Sequence, residues 1–374
     1  MANVSYTLLI DDQPAIPDLL NVIQQIEVED HAEMADMMRL SVAISVKDSC
    51  SGWNVVDDNV FHRLAKVRVN VNVGSGKTEP LLEAYVTETN ADLANQPGQS
   101  ILHVVAMEPT VLMHLQETVR DWPNMADSDI ANEIFRKYGF NPVVDQTQPS
   151  WQENDYTVMQ RGTDIQFLQS LAKRNGYECY VQLNPDSGVV EGHFHLPQLQ
   201  DAAQGVLSVN MGDATNVNSF HARYDAIGPT TAKASNIDIE SKDDQTSNID
   251  QQALTDLGST STLPSDNPRV TLLSGTGVSS TAELQTAAQA EVDRSSWAIT
   301  ANGELNTVAY GDVLRAKRPV LVRGAGKQFS GTYYVEQVTH TINGDGYSQQ
   351  FSLRRNASGV TPNQKFVVST GLSS

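Results

Sequence analysis

The chain has 374 residues, 40% hydrophobic and 19% charged, which suits two or three domains with ample core. Its formal net charge of −20 argues against nucleic acid as a specific partner, because affinity for phosphate backbones comes from Lys and Arg. No run approaches about 18 continuous apolar residues, so stable membrane insertion is not expected.

The opening MANVSYTLLIDDQPAIPDLL lacks the basic and apolar regions of a signal peptide, and assembly in the cytoplasm is expected. The first hundred residues are strand-like. Met38, Leu40, Val42, Ile44 and Val46 alternate with polar or small neighbours, and Val67, Val69, Val71 and Val73 alternate with Lys66, Arg68, Asn70 and Asn72. Strict period-two alternation buries one face, and with LLEAYVTET and ILHVVAM it predicts an antiparallel barrel or sandwich.

The middle changes character. SDIANEIFRKYGF predicts a helix with Ser128 as N-cap and Gly139 as stop. GTDIQFLQSLAKRNGYECYV predicts another, with Thr163 and Gln166 as a capping box, Ile165, Leu168, Leu171 and Ala172 on one face, and Gly176 at its end. With the strands YECYVQL and GVVEGHFHL, this reads as a small α+β domain from about Pro109 to Ala203. Gly228 to Arg269 is polar, acidic and rich in turn formers, which predicts a long loop or extension with little core. A helix follows, with Ser280 and Glu283 as a capping box and Leu284, Ala287, Ala288 and Val292 inward. Strands resume at Trp297 and end in a hairpin, GTYYVEQVTHTINGDGYSQQFSLRRN, turning at Asn343–Gly346. A bulge between Val335 and Val338 would bring its apolar residues into phase. Its outer face is read as polar, carrying His340, Arg354 and Arg355, and the tail from Ala357 as loosely ordered.

Four features of the sequence could carry chemistry. GSGKT at Gly74–Thr78 lacks the first glycine of a phosphate-binding loop, since Val71 stands there, and it leads into a strand. Glu191, His193 and His195 alternate along one strand and could offer zinc ligands, but no fourth ligand is evident, and a solvated or structural strand face is expected. No GxSxG or triad-like signature accompanies the eight histidines, so His340 is read as a solvated residue. Cys50 and Cys179 are too far apart in sequence for their pairing to be read. The expectation is a protein that is not an enzyme, with no catalytic residue, no metal and no cofactor.

Three stretches carry a resemblance: NDYTVMQRGTDIQFLQSLAKRNGYECYV, STAELQTAAQAEVDRSSWAITANGELN, and YGDVLRAKRP followed by the closing hairpin. Their order and spacing resemble the phage late control protein D family, the hub of contractile tails, and the VgrG N-terminal-like part of secretion spikes. The resemblance covers Thr7 to Asn356. Two departures stand out: Glu108 lies near where the family often carries an Asp, and no needle-like short repeat is present.

The resemblance implies a β-rich α+β fold, with two antiparallel, tail-tube-like β-barrel domains plus a small α+β domain, assembled as a trimeric hub. The implied division is a barrel at 1–108, the α+β domain at 109–204, a second barrel from 205–226 and 297–356, an extended acidic insertion and helix at 227–296, and a tail at 357–374. The implied partners are a homotrimer, an inner tube hexamer, a separate trimeric spike protein and other baseplate proteins, within a phage tail-like or injection particle. On this reading the polar hairpin face is a channel wall or subunit contact. The alternatives are a tail-tip cell-wall hydrolase and a β-rich carbohydrate-binding protein. The first needs a carboxylate or metal pair, the second an aromatic platform, yet aromatics make up only 6% of the chain.

Overall fold

The computed structural model describes residues 4–47, 52–73, 78–147, 157–237, 242, 244–274, 281–361 and 364. The first region contains β1 (Val4–Ile10), β2 (Gln13–Pro14), α1 (Pro17–Val22), β3 (Ile23–His31), β4 (Met37–Ala43), β5 (Lys66–Val73), β6 (Thr78–Asp92) and β7 (Ile101–Met107). The period-two reading holds. Val67, Val69, Val71 and Val73 are buried along β5, as are Met38, Leu40 and Val42 along β4. They pack with Ile26, Val28 and Val104 in one core.

The α+β region follows as α2 (Thr110–Met113), β8 (Glu117–Trp122), α3 (Asp127–Lys137), β9 (Asn141–Val144), β10 (Val158–Thr163), α4 (Asp164–Asn175), β11 (Glu178–Leu183) and β12 (Val190–His195). Helix α4 starts and stops as the sequence predicts. Thr163 Oγ1 accepts from the Gln166 amide at 3.5 Å, Gln166 Oε1 accepts from the Thr163 amide at 3.3 Å, and Gly176 closes the helix at φ 70°. Helix α3 differs: Ser128 lies inside its first turn, and its amide donates to Thr147 Oγ1 at 3.0 Å. The residue outside the helix is Ala126, whose amide donates to the Asp129 carboxylate at 3.3 Å.

The rest of the chain runs β13 (Val206–Ser208), β14 (Val217–Tyr224), β15 (Thr230–Ile237), β16 (Asp244–Ile249), β17 (Thr260–Ser261), β18 (Arg269–Ser274), α5 (Thr281–Ser295), β19 (Ile299–Leu305), α6 (Thr307–Tyr310), β20 (Pro319–Arg323), α7 (Gly326–Phe329), β21 (Gly331–Asn343), β22 (Gly346–Arg355) and β23 (Ala357–Ser358). The expected extension after Gly228 is instead folded. Strands β16, β15 and β18 form a sheet in that order, and α5 packs on it through Leu284, Ala288 and Val292 against Ala232 and Ala234. Alanines in place of β-branched residues hid the inward face of β15 from a hydrophobicity reading. The start of the tail is also anchored, since β23 pairs with β17 and Ala357 is fully buried. Ser280 of the predicted capping box lies outside the described residues.

The two β regions are one sheet. Thirteen strands join in the order β14-β19-β22-β21-β3-β4-β7-β6-β5-β1-β2, with β20 on β21 and β13 on β20. The link is β21 against β3, from Gln337↔His31 to Asn343↔Gln25. Two cores lie along this sheet, one in each region.

The halves also repeat one another strand for strand. The path β3-β4-β7-β6-β5 matches β14-β19-β22-β21-β20. The register irregularity Ile23/Gln25 matches Val217/Ser219, and Val86/Glu88 matches Val335/Gln337. With those aligned, the neighbours Met38↔Ala106 fall on Ala301↔Leu353, and Lys66↔Tyr85 on Pro319↔Tyr334. The outermost strands break the repeat, since β1 is antiparallel to β5 and β13 parallel to β20.

The register shift at Val335/Gln337 is the bulge expected from the apolar phase. The reading of a polar outer face is overturned: His340, Arg354 and Arg355 are all buried, at 1%, 6% and 0% exposure. The bulge places His340 in phase with inward Val338 and Ile342. Arg354 points to the opposite side, which the α+β region covers, and Arg355 donates to the Ser330 and Leu257 carbonyls.

Candidate functional site: a buried ionic junction between the regions

The inward phase of β3 runs Ile26, Val28, Asp30. A carboxylate in a buried phase demands a cation. It is supplied from the far half of the chain by Lys317, whose left-handed φ of 65° turns the backbone just before β20. The Lys317 Nζ lies 2.6 Å from Asp30 Oδ1 and 2.8 Å from both Asp36 oxygens, while Asp30 Oδ2 accepts from the Ala316 amide at 2.8 Å. Glu108, at the end of β7, completes the group and accepts from Thr110 Oγ1 at 3.0 Å.

One ammonium thus faces two buried carboxylates, Asp36 and Glu108, and the partly buried Asp30, and their environments separate them. Burial raises Asp30, but Lys317 outweighs it and holds the carboxyl at about 2. Burial wins at Asp36, pushed up to about 7. It also wins at Glu108, raised well above the usual carboxylate range by burial and then by the Asp36 charge. Burial and the neighbouring Asp36 charge thus bias Glu108 towards its protonated form.

A second group continues the seam. Arg354 Nη2 donates to Glu178 Oε1 of β11 at 3.1 Å, Nη1 pairs with Glu33, and Glu336 lies 3.7 Å away. The guanidinium lies over Trp297 at 4.6 Å and over Tyr334 at 5.3 Å, and the Tyr334 hydroxyl donates to Glu178 Oε2 at 2.6 Å. Burial pushes Glu178 up to about 7 against the pull of Arg354. The two groups bind three regions into one body: Asp30, Glu33, Asp36 and Glu108 from the first, Glu178 from the α+β region, and Lys317, Tyr334 and Arg354 from the last.

The strand bearing Glu191, His193 and His195 borders this seam. Of the expected solvated or structural strand face the solvated form fails, because His193 and His195 are only 5% and 2% exposed, and the structural form describes them. Their tautomers follow from the hydrogen bonds. His195 Nδ1–H donates to the Leu196 carbonyl at 2.7 Å, so His195 Nε2 accepts from His193 Nδ1–H at 3.0 Å. His193 Nε2 then accepts from the Gln182 amide at 3.2 Å. Burial and then neighbouring His195 push His193 down to about 3, and its ring stacks on Tyr180 at 4.5 Å. Both imidazoles are thus used in one hydrogen-bond relay beside a cavity of about 430 Å³ that Lys317 and Arg318 also line. Among the described residues no group of three or more His, Cys, Asp or Glu is placed to hold a metal ion.

His340, also read as solvated, is buried, and its Nδ1 lies 2.8 Å from the Tyr347 hydroxyl. Burial pushes it down to about 3, so it too is neutral. Cys179 is a free thiol raised by burial. Cys50 and Gly74–Lys77 lie outside the described residues, and Thr78 opens β6. The sequence reading missed Lys317, Asp30, Asp36, Glu178 and Tyr334. Only Asp30 left a local signal, through its phase with Ile26 and Val28.

A family model described as the Alg8 N-terminal domain matches residues 1–344. No curated protein matches the chain. Among solved structures, a tail protein from Neisseria meningitidis MC58 matches with TM-score 0.65 at 9% identity, over 95% of this chain and 97% of that one. The 43 kDa tail protein of prophage MuSo2 from Shewanella oneidensis matches with TM-score 0.63 at 13% identity, over 94% and 98%. An E. coli protein described as a component of the type VI secretion system matches with TM-score 0.56 at 11% identity, over 98% and 80%. At these identities the likeness is one of fold, a β-rich tail-protein fold. The match over residues 1–344 assigns the sequence itself: the chain belongs to the Alg8 N-terminal domain family.

Proposed function

We propose that this chain is a structural baseplate hub of a phage tail or contractile injection particle, a homotrimer that adapts a hexameric inner tube to a separate trimeric spike. The observation that carries this reading is the strand-for-strand repeat of two β modules within one sheet. Three copies of a two-module chain present six similar modules on one face while keeping three-fold symmetry, which is what a junction between six-fold and three-fold partners requires. The buried ionic seam fits the same role, because a hub under load needs its modules fixed relative to one another. The resemblance to late control protein D and VgrG N-terminal regions and the tail-protein fold point the same way. The buried histidines are spent on internal hydrogen bonds, so the site chemistry favours a scaffold over a hydrolase. Co-expression with candidate tube and spike subunits, followed by pull-down on the hub, tests the proposal. Recovery of both partners is expected, and clearing of purified cell wall by the hub alone would overturn it.

A further inference from the structure

The hairpin β11–β12 carries Tyr180 opposite His193 and Gln182 opposite Glu191, and all four line the cavity of about 430 Å³ beside the histidine relay. Asp201 and Arg318 also line it, so the cavity lies where the last region meets the α+β region. Seams between regions are where small-molecule sites often form.

The relay fixes what the hairpin offers to this cavity. His195 Nδ1–H is committed to the Leu196 carbonyl, so His193 donates through Nδ1 and accepts through Nε2. The group 3.2 Å from that Nε2 is therefore the Gln182 amide nitrogen, which leaves Gln182 Oε1 as an acceptor with no partner among the described residues. Glu191 Oε1 accepts from Asn184 Nδ2 at 3.2 Å. Glu191 Oε2 lies 3.5 Å from the same His193 nitrogen, which has no proton to give. Asp201 is exposed and makes no hydrogen bond or ion pair among the described residues.

Three acceptors are thus unused, and one cation is. Lys317 Nζ is taken by Asp30 and Asp36, but the half-buried Arg318 guanidinium makes no hydrogen bond or ion pair among the described residues. Its charge acts on His193 and Tyr180, which puts it at this cavity. Arg318 pairs with neither Glu191 nor Asp201. Opposite charges that share a cavity without meeting suit a ligand that carries both charges, held apart.

We propose that this cavity binds a lysyl carboxylate, meaning a lysine side chain together with a free α-carboxylate. The three N–H donors of the ammonium match the three acceptors on Gln182, Glu191 and Asp201. The carboxylate takes the Arg318 fork, where charge-assisted bonds can be bidentate. On this assignment the buried histidines serve to hold Gln182 in the orientation that presents its oxygen. Free lysine and the C-terminal lysine of another chain offer the same chemistry. The site stands or falls independently of the hub reading.

Isothermal titration calorimetry of the full chain with Nα-acetyl-L-lysine, which keeps both charges, should show one saturable site of about millimolar affinity. Nα-acetyl-L-lysine amide lacks the carboxylate and Nα-acetyl-L-norleucine lacks the ammonium, and each should bind about tenfold more weakly or worse. Arg318→Gln should erase the preference for acid over amide, and Glu191→Gln should reduce the preference for lysine over norleucine. General destabilisation would not separate the two preferences. Tighter binding of L-lysine than of its acetyl form assigns the site to the free amino acid, and the reverse assigns it to a chain terminus. No saturable binding of either up to about 10 mM, or equal affinity for acid, amide and norleucine, overturns the site. Should a variant fail to fold, the parent's selectivity among the three acetylated ligands still decides.

Discussion

Replacing Lys317 with Met should unlock the first region from the last, and the cost should depend on pH. The substitution keeps most of the aliphatic stem and removes the charge that holds Asp30 at about 2. Measured against the ordinary value of 3.8, that depression alone corresponds to roughly 2 kcal/mol at neutral pH. Removing one partner of a buried ion network typically costs about 3–5 kcal/mol, because the remaining charge stays desolvated. Here Asp36 is stranded together with Asp30, so the upper part of that range is expected at pH 8.

The sign of the pH dependence follows from the two aspartates. In the native protein the depressed Asp30 contributes stability above about pH 4 that is lost as pH falls towards 2. The raised Asp36 contributes stability below about pH 4 that is lost as pH rises through about 7. Without Lys317, burial is the main influence left on Asp30, and its pKa rises. At pH 5.5 the stranded carboxyls take up protons and the cost shrinks; at pH 8 they cannot. Urea unfolding at both values, followed by tryptophan fluorescence, to which Trp297 beside the seam contributes, measures the difference. A cost under about 1 kcal/mol at pH 8, or an equal cost at both values, would refute the junction as described.

Tyr334→Phe should cost about 1–3 kcal/mol in urea unfolding, because it removes the donor to buried Glu178; no change would mean that bond is not formed. Gly192→Ala should lower the thermal midpoint by an amount equivalent to about 1–3 kcal/mol, since a Cβ there would sit 2.3 Å from the Phe135 ring; an unchanged midpoint would show that the ring can move freely. His193→Ala should destabilise by about 1–3 kcal/mol through the broken relay, while elemental analysis of the parent finds no stoichiometric zinc; bound zinc lost with the substitution would reverse that assignment.

The parts of the fold legible in the sequence were those written in short-range pattern. The valines of β5 and the Thr163–Gln166 box need only their own neighbours to take their places. The hairpin bulge was legible because a phase slip between Val335 and Val338 has few other remedies. What the sequence hid depends on distant residues. His340 looks solvated until the bulge turns it inward, and Arg354 and Arg355 until the α+β region and the loop around Leu257 cover them. Lys317 and Asp30 are 287 residues apart, and nothing local in the AKRP stretch names its carboxylates. The small sheet after Gly228 escaped because Ala232 and Ala234 pack closely under α5 without the bulk that marks a strand. The repeat of β modules shows in strand register and not in residue identity, so only paired strands expose it.

The central claim is a three-fold hub built from two repeated modules per chain. Sedimentation equilibrium of the chain co-expressed with a candidate spike protein measures directly how many copies of the chain the proposed complex holds. Three hub copies per complex are predicted, and two or four would contradict the account.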